Sequence, residues 1–355
     1  MTGTDSILNV ENLVTRFYIE EGVVNAVNDV SFELNKGETI GIVGESGSGK
    51  SVTAMSIIGL IDSPGQVEQG VIDYRGEDLL EKSEKELRSI RGNKISMIFQ
   101  DPMTSLNPVF TVGEQIKRVI LKHQDMSKKE AKERTIELLA DVGIPDPQSR
   151  YSSYPHQFSG GMRQRALIAM AISCEPDILI ADEPTTALDV TIEAQIFDLI
   201  NDLKEKYEMS VILITHDLSV VADTCDRVAI MYGGQIVERA DIDDIFLDPR
   251  HPYTRGLLRS MPSLSSTLDR LEEIGGEIPD PISLPNGCSF HPRCPHATQE
   301  CVKYDPELRE VEPGHQAACI YAQGYGSIEK MEPTVTSPEV TTDGAGTAES
   351  RRDDQ

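Results

Sequence analysis

Three groups of residues in this sequence could do chemistry. The run Gly44-Glu45-Ser46-Gly47-Ser48-Gly49-Lys50-Ser51 has the spacing G-x-x-x-x-G-K-[ST]. Glycines at those places let successive backbone N–H groups turn toward a phosphate, and a helix starting there adds its positive end. Lys50 would neutralise the outer phosphates of a nucleoside triphosphate, and the Ser51 hydroxyl would ligate Mg2+. A second stretch, "ILIADE", is an apolar run ending on Asp182 and Glu183. As a buried strand it delivers both carboxylates beside that loop, Asp182 to hold Mg2+ through water and Glu183 to polarise an attacking water. The third group is Cys288, Cys294, Cys301 and Cys319, spaced C-x5-C-x6-C-x17-C. That spacing lacks the C-x2-C pair usual in structural zinc sites. A reducing interior disfavours disulfides, which leaves a [4Fe–4S] cluster, Zn2+ or unligated thiols. Cys174, expected in a helix, and Cys225 read as ordinary thiols.

Regular elements must position these groups. Val, Asn and Phe between Leu8 and Leu34 predict short strands. "ETIGIVGESGSGKSVTAMSIIGLI" predicts a buried strand, a loop and a helix. "EDLLEKSEKELRSIRG" reads as one charged helix. "SKKEAKERTIELLADVG" predicts a helix capped by Ser127 and ending near Gly143. "PDILIADEP" and "SVILITHD" are strands flanking a helix through "TIEAQIFDLINDLKEKY". Alternation of this kind predicts an α/β fold with a mainly parallel sheet. From about residue 240 the chain turns Pro-rich, and residues 326–355 read as a disordered acidic tail.

The 355 residues are enough for about two domains. Asp and Glu number 59 against 33 Lys and Arg, a formal charge of -26. An acidic surface repels phosphate backbones, so nucleic acid is not an expected partner. It suits a salt-rich cytoplasm, with acidity kept for solubility as the alternative. The first residues lack the basic start and apolar stretch of a signal peptide, and no window reaches the length of a membrane span. The expectation is a cytosolic chain whose membrane role, if any, comes through partners.

Further motifs narrow the class. With "FSGGMRQR" at 158–165, the chain resembles the ATP-binding subunits of ABC transporters, whose signature is usually LSGGQ; Phe158 and Met162 are variants. The resemblance runs over roughly residues 5–325. It implies an ABC ATPase core with an N-terminal antiparallel β-subdomain and a helical signature subdomain (about 105–175) within residues 5–240, then an extension over 241–325. It further implies ATP and Mg2+ as cofactors and these roles: Gln100 as the Q-loop residue at the Mg2+, His216 as the switch histidine, Asp189 in the D-loop Thr186-Ala187-Leu188-Asp189, and Phe17 stacking on adenine, with Tyr18 as a substitute. Gly44, Ser46, Gly47, Gly49, Lys50, Ser51 and Val52 would bind phosphate. Ser159, Gly160 and Gly161 would complete a partner subunit's site.

"QDPMTSLNPVFTVGEQI", "YPHQFSGGMRQRALIAMAI" and "HPYTRGLL" resemble the D-type subunit of dipeptide/oligopeptide importers. That resemblance implies peptide uptake with a second ATPase subunit, two membrane permeases and, indirectly, a solute-binding protein. The chain would sit at the cytoplasmic face of the membrane. Met103, Leu106, Val109 and Phe110 would form a groove for a permease helix. Some members ligate an iron–sulfur cluster with four cysteines of the extension, which makes a cluster the expectation for Cys288, Cys294, Cys301 and Cys319. Its role is expected to be structural or regulatory, away from the phosphates. Nickel or sugar remains open as the solute, because the ATPase subunit does not touch the cargo, and a soluble ABC ATPase outside transport is the other alternative.

Overall fold

The computed structural model describes residues 6–100, 105–185, 190–261 and 274–322. Strands β1 (Ser6–Ile19), β2 (Gly22–Asn35), β4 (Gly65–Tyr74) and β5 (Glu77–Asp78) form an antiparallel sheet in the order β2-β1-β4-β5. The main sheet runs β11-β12-β10-β9-β3-β8-β7-β6. Its members are β3 (Thr39–Val43), β6 (Ile95–Ile98), β7 (Ile178–Asp182), β8 (Ser210–Thr215), β9 (Arg227–Tyr232), β10 (Gln235–Asp241), β11 (Arg309–Glu312) and β12 (His315–Ala317). From β6 to β9 every pairing is parallel; from β9 to β11 every pairing is antiparallel.

Strands β3, β7 and β8 are buried at every residue, because both faces of the sheet are covered. Alternation along β7 divides the core. Ile178 and Ile180 face the antiparallel sheet and the helix Lys50–Ile57, whereas Leu179 and Ala181 face the remaining helices. The helices Val112–His123, Lys128–Asp141 and Gly160–Ala171 begin where Thr111, Ser127 and Ser159 accept backbone N–H bonds.

Two element readings need correction. The run 77–92 is not one helix: β5 and a single 3-10 turn, Leu79–Glu81, come before the helix Glu84–Ile90. Ser83 and Glu86 form a capping box there, which fixes the start inside the charged run. Cys174 lies beyond its helix, which ends at Ala171. The acidic tail 326–355 lies outside the described residues.

The Pro-rich extension continues the main sheet. Its strand β12 pairs with β10, placing Ala317 opposite Glu238 and Gln316 opposite Arg239. Glu238 is fully buried and accepts from the N–H groups of Arg250 (2.5 Å) and His251 (2.8 Å), with His315 Nε2 at 2.7 Å. A buried carboxylate is tolerated where donors meet both of its oxygens.

Candidate active site

The carboxyl ends of the parallel strands converge on the loop after β3. Gly44 cannot carry a side chain, since a Cβ would stand 2.2 Å from the Met231 carbonyl oxygen. Gly49 has φ 102°, and a Cβ there would meet the Ala26 carbonyl oxygen at 2.4 Å. These contacts, made by β9 and β2, are why the loop can wrap tightly ahead of the helix Lys50–Ile57. Lys50 is buried and donates to the carbonyl oxygens of Gly44 (2.8 Å) and Glu45 (3.0 Å). Burial pulls its pKa down, while Glu183, Asp182 and Glu45 oppose that shift. The Ser48 hydroxyl is buried and has no hydrogen-bond partner among the described residues, an orphan donor inside a loop suited to phosphate.

The loop opens on a cavity of about 320 Å³, lined by Ser46–Val52 together with Phe17, Val24, Ala26, Gln100, Glu183 and Pro281. Ser51 Oγ donates to Asp182 Oδ1 at 3.0 Å, across 131 residues of sequence. This brings a hydroxyl and a carboxylate together as hard oxygen donors, the set Mg2+ takes when phosphates and waters complete its shell. Burial pushes the Asp182 pKa up, against the Ser51 hydrogen bond. Glu183 follows directly with φ 43°, a left-handed conformation that turns it off the strand direction. Gln100 Nε2 donates to Glu183 Oε2 at 2.6 Å, and His216 Nδ1 lies 3.3 Å from Oε1. The His216 side chain is 69% exposed, free to meet a ligand from outside.

Phe17 lines the cavity, whereas Tyr18 points to Glu68 and hydrogen-bonds it, so the substitute residue is not the one at the site. Ser159 and Gly160 are exposed, Gly161 is half-buried, and none of them lines this cavity. Asp189, with the rest of its motif, lies outside the described residues, as does Met103. Leu106 is core instead of groove lining, being 3% exposed; Val109 is exposed, and Phe110 lies under the Arg118 guanidinium at 4.0 Å. Sequence reasoning missed Val24, Ala26 and Pro281, which belong to no motif.

A family model for the ABC transporter domain matches residues 27–186, and one for the oligopeptide/dipeptide transporter C-terminal region matches residues 237–301. The oligopeptide transport ATP-binding protein AppD of Bacillus subtilis is 50% identical, covering 91% of this chain and 98% of its own. This chain belongs to the ABC transporter ATP-binding proteins. The dipeptide transport ATP-binding protein DppD of Escherichia coli is also 50% identical, over 89% of this chain and 97% of its own. Among solved structures, a dimeric post-hydrolysis ATP-binding cassette bound to ADP and Pi aligns with TM-score 0.60 and 27% identity, covering 66% of this chain and 98% of its own. Another, cbiO1 from Clostridium perfringens, part of an ABC transporter complex, aligns with TM-score 0.59 and 26% identity, covering 69% of this chain and 92% of its own. The nucleotide and metal of this ABC ATPase are ATP and Mg2+. Among the described residues, no helix of the protein is long and apolar enough to cross a membrane.

The four cysteines of the extension do come together. Cys288, Cys294, Cys301 and Cys319 line one cavity of about 20 Å³ with His251, Phe290 and Tyr321. Burial pushes the thiols of Cys288 and Cys294 up to about 12 and raises that of Cys319. Among the described residues, no group of three or more His, Cys, Asp or Glu side chains is arranged to hold a metal ion. The cysteine cavity shares no lining residue with the nucleotide cavity, but the segment that bears the cysteines does reach the phosphate loop. Arg293, the residue before Cys294, donates to both carboxylate oxygens of Glu45 in the phosphate loop, at 2.6 and 3.0 Å.

Proposed function

We propose that the chain is the ATP-hydrolysing subunit of an importer for oligopeptides or dipeptides, working peripherally at the cytoplasmic face of the membrane. The observation that carries this reading is that Ser51, Gln100 and Glu183 line the phosphate-loop cavity, with Asp182 hydrogen-bonded to Ser51 and His216 beside Glu183. Peptide as the solute class is supported by the match to the oligopeptide/dipeptide C-terminal region and by the relatives' names. Residues 5–240 would be the ATPase domain, with the signature helices at about 105–175, and 241–325 its extension.

Lys50 and the loop amides take the β- and γ-phosphates, Ser51 and Asp182 hold Mg2+, and Phe17 packs on the base. Glu183 polarises the attacking water, with Gln100 and His216 holding its carboxylate and sensing the γ-phosphate. Exposed Ser159 caps the helix Gly160–Ala171, which exposed Gly160 and half-buried Gly161 open, and the three suit the γ-phosphate held by a second ATPase subunit. Closure of the two subunits on ATP would drive two permease subunits, fed by a solute-binding protein. From the family resemblance we infer that the four cysteines, which line one cavity, would hold an iron–sulfur cluster. The charge of -26 suits a salt-rich cytoplasm.

Glu183→Gln keeps the shape and removes the base. Turnover should fall about 100- to 10,000-fold while ATP-dependent dimers persist. Turnover at the wild-type rate would overturn the assignment of the base.

A further inference from the structure

The extension holds the phosphate loop at one residue. Glu45 follows Gly44 and is the loop's only carboxylate. Left to itself, that charge would sit among backbone N–H groups meant for phosphate, and would repel the incoming nucleotide. Arg293 takes it up in a two-pronged pair, the geometry that fixes a carboxylate in direction as well as position. The rest of the guanidinium is satisfied as well. Its other bonds go to the carbonyl oxygens of Gly275 (3.1 Å) and Ile274 (3.1 Å) and to the Tyr232 hydroxyl (3.4 Å). Its side chain is only 4% exposed, so this is a built site and not a surface ion pair.

The backbone of Glu45 is held from the same side. Its N–H donates to the Tyr253 hydroxyl at 3.0 Å, and Tyr253 is fully buried in the extension's helix Pro252–Arg259. Tyr253, Tyr232 and Phe290 pack ring against ring, with centroids 4.7 to 5.3 Å apart. Phe290 also lines the cysteine cavity, so one side chain joins that cavity to the support of the loop. Pro281, also of the extension, lines the nucleotide cavity and accepts the Asn25 N–H at 3.0 Å.

We propose that Arg293 is a positioning residue of the nucleotide site: together with Tyr253 it locks Glu45, so that the phosphate loop is set for ATP only with the cysteine-bearing extension docked. The proposal deepens the nucleotide-site reading and rests on it.

The test titrates ATP with Mg2+ into the full-length chain and measures Kd, KM and kcat. Arg293→Gln should weaken ATP binding and raise KM about tenfold to a hundredfold, the size expected for losing a charge-assisted pair, with kcat little changed. Glu45→Gln removes the charge that needs neutralising and should cost less. The double variant should bind ATP better than Arg293→Gln alone, by about fivefold or more. Arg293→Lys keeps the charge without the fork and should fall between wild type and Arg293→Gln; it serves as the readout if Arg293→Gln does not fold. Unchanged Kd and KM in the folded Arg293 variants, or a double variant whose losses simply multiply, would overturn the proposal. Lys50→Ala separates the two readings. If Lys50→Ala binds ATP like wild type, the nucleotide-site reading has failed; if it loses ATP while the Arg293 variants keep it, only the positioning role has failed.

Discussion

Glu238 is the joint between β10 and the extension, and Glu238→Gln tests how the buried carboxylate holds it. Oε1 accepts the Arg250 N–H and faces His315 Nε2, while Oε2 accepts the His251 N–H. A glutamine has one oxygen and one NH2 in those places. In its better orientation the oxygen keeps Arg250 and His315, but the NH2 then faces the His251 N–H. One donor loses its acceptor and one buried amide goes unsatisfied, each costing about 1–3 kcal/mol, so the joint weakens by about 2–6 kcal/mol. At about 1.4 kcal/mol per factor of ten, the amides of Arg250, His251 and β12 should exchange with solvent about 30- to 20,000-fold faster. Hydrogen exchange resolved by peptide measures this directly, and β3 and β8 serve as internal controls. Protection within about tenfold of wild type around residues 250 and 315–317 would refute the reasoning, because the carboxylate would then be dispensable.

Two other outcomes follow from buried titratable groups. His251 is buried, caps the helix Pro252–Arg259 by accepting the Tyr253 N–H, and burial lowers its pKa to about 4. Between about 6.5 and about 4 the unfolded chain takes up a proton that the folded chain refuses, so this stability is complete above about pH 6.5 and lost as pH falls toward 4. The loss is about 3 kcal/mol, and a pH series of melting curves should show His251→Asn, which keeps a capping oxygen, falling less steeply over that window. For the cysteines, iron and acid-labile sulfide measured on anaerobically purified protein should both be present and should disappear in Cys288→Ser/Cys294→Ser. Zinc alone, or no metal, would remove the cluster from the reading.

Much of the site was legible because its chemistry is local. The phosphate loop is eight consecutive residues whose geometry follows from glycine positions, and Asp182 ends, and Glu183 directly follows, an apolar run that reads as a buried strand. The capping serine at 127 was likewise written in the pattern. The helix run 77–92 was misjudged because Ser83 competes locally with charge periodicity. Leu106 was misplaced because an apolar residue before a helix suits a core and a docking groove equally well.

The sequence by itself determined the parallel core, the phosphate loop and the acids beside it, since each depends on residues close in the chain. Tertiary structure alone decided that Arg293 would meet Glu45 across 248 residues, that Tyr253 would take the Glu45 amide across 208, and that Pro281 would close the nucleotide cavity. No periodicity or motif records such pairs, because they exist only once the extension has added β12 to β10 and brought its loops over the mouth of β3.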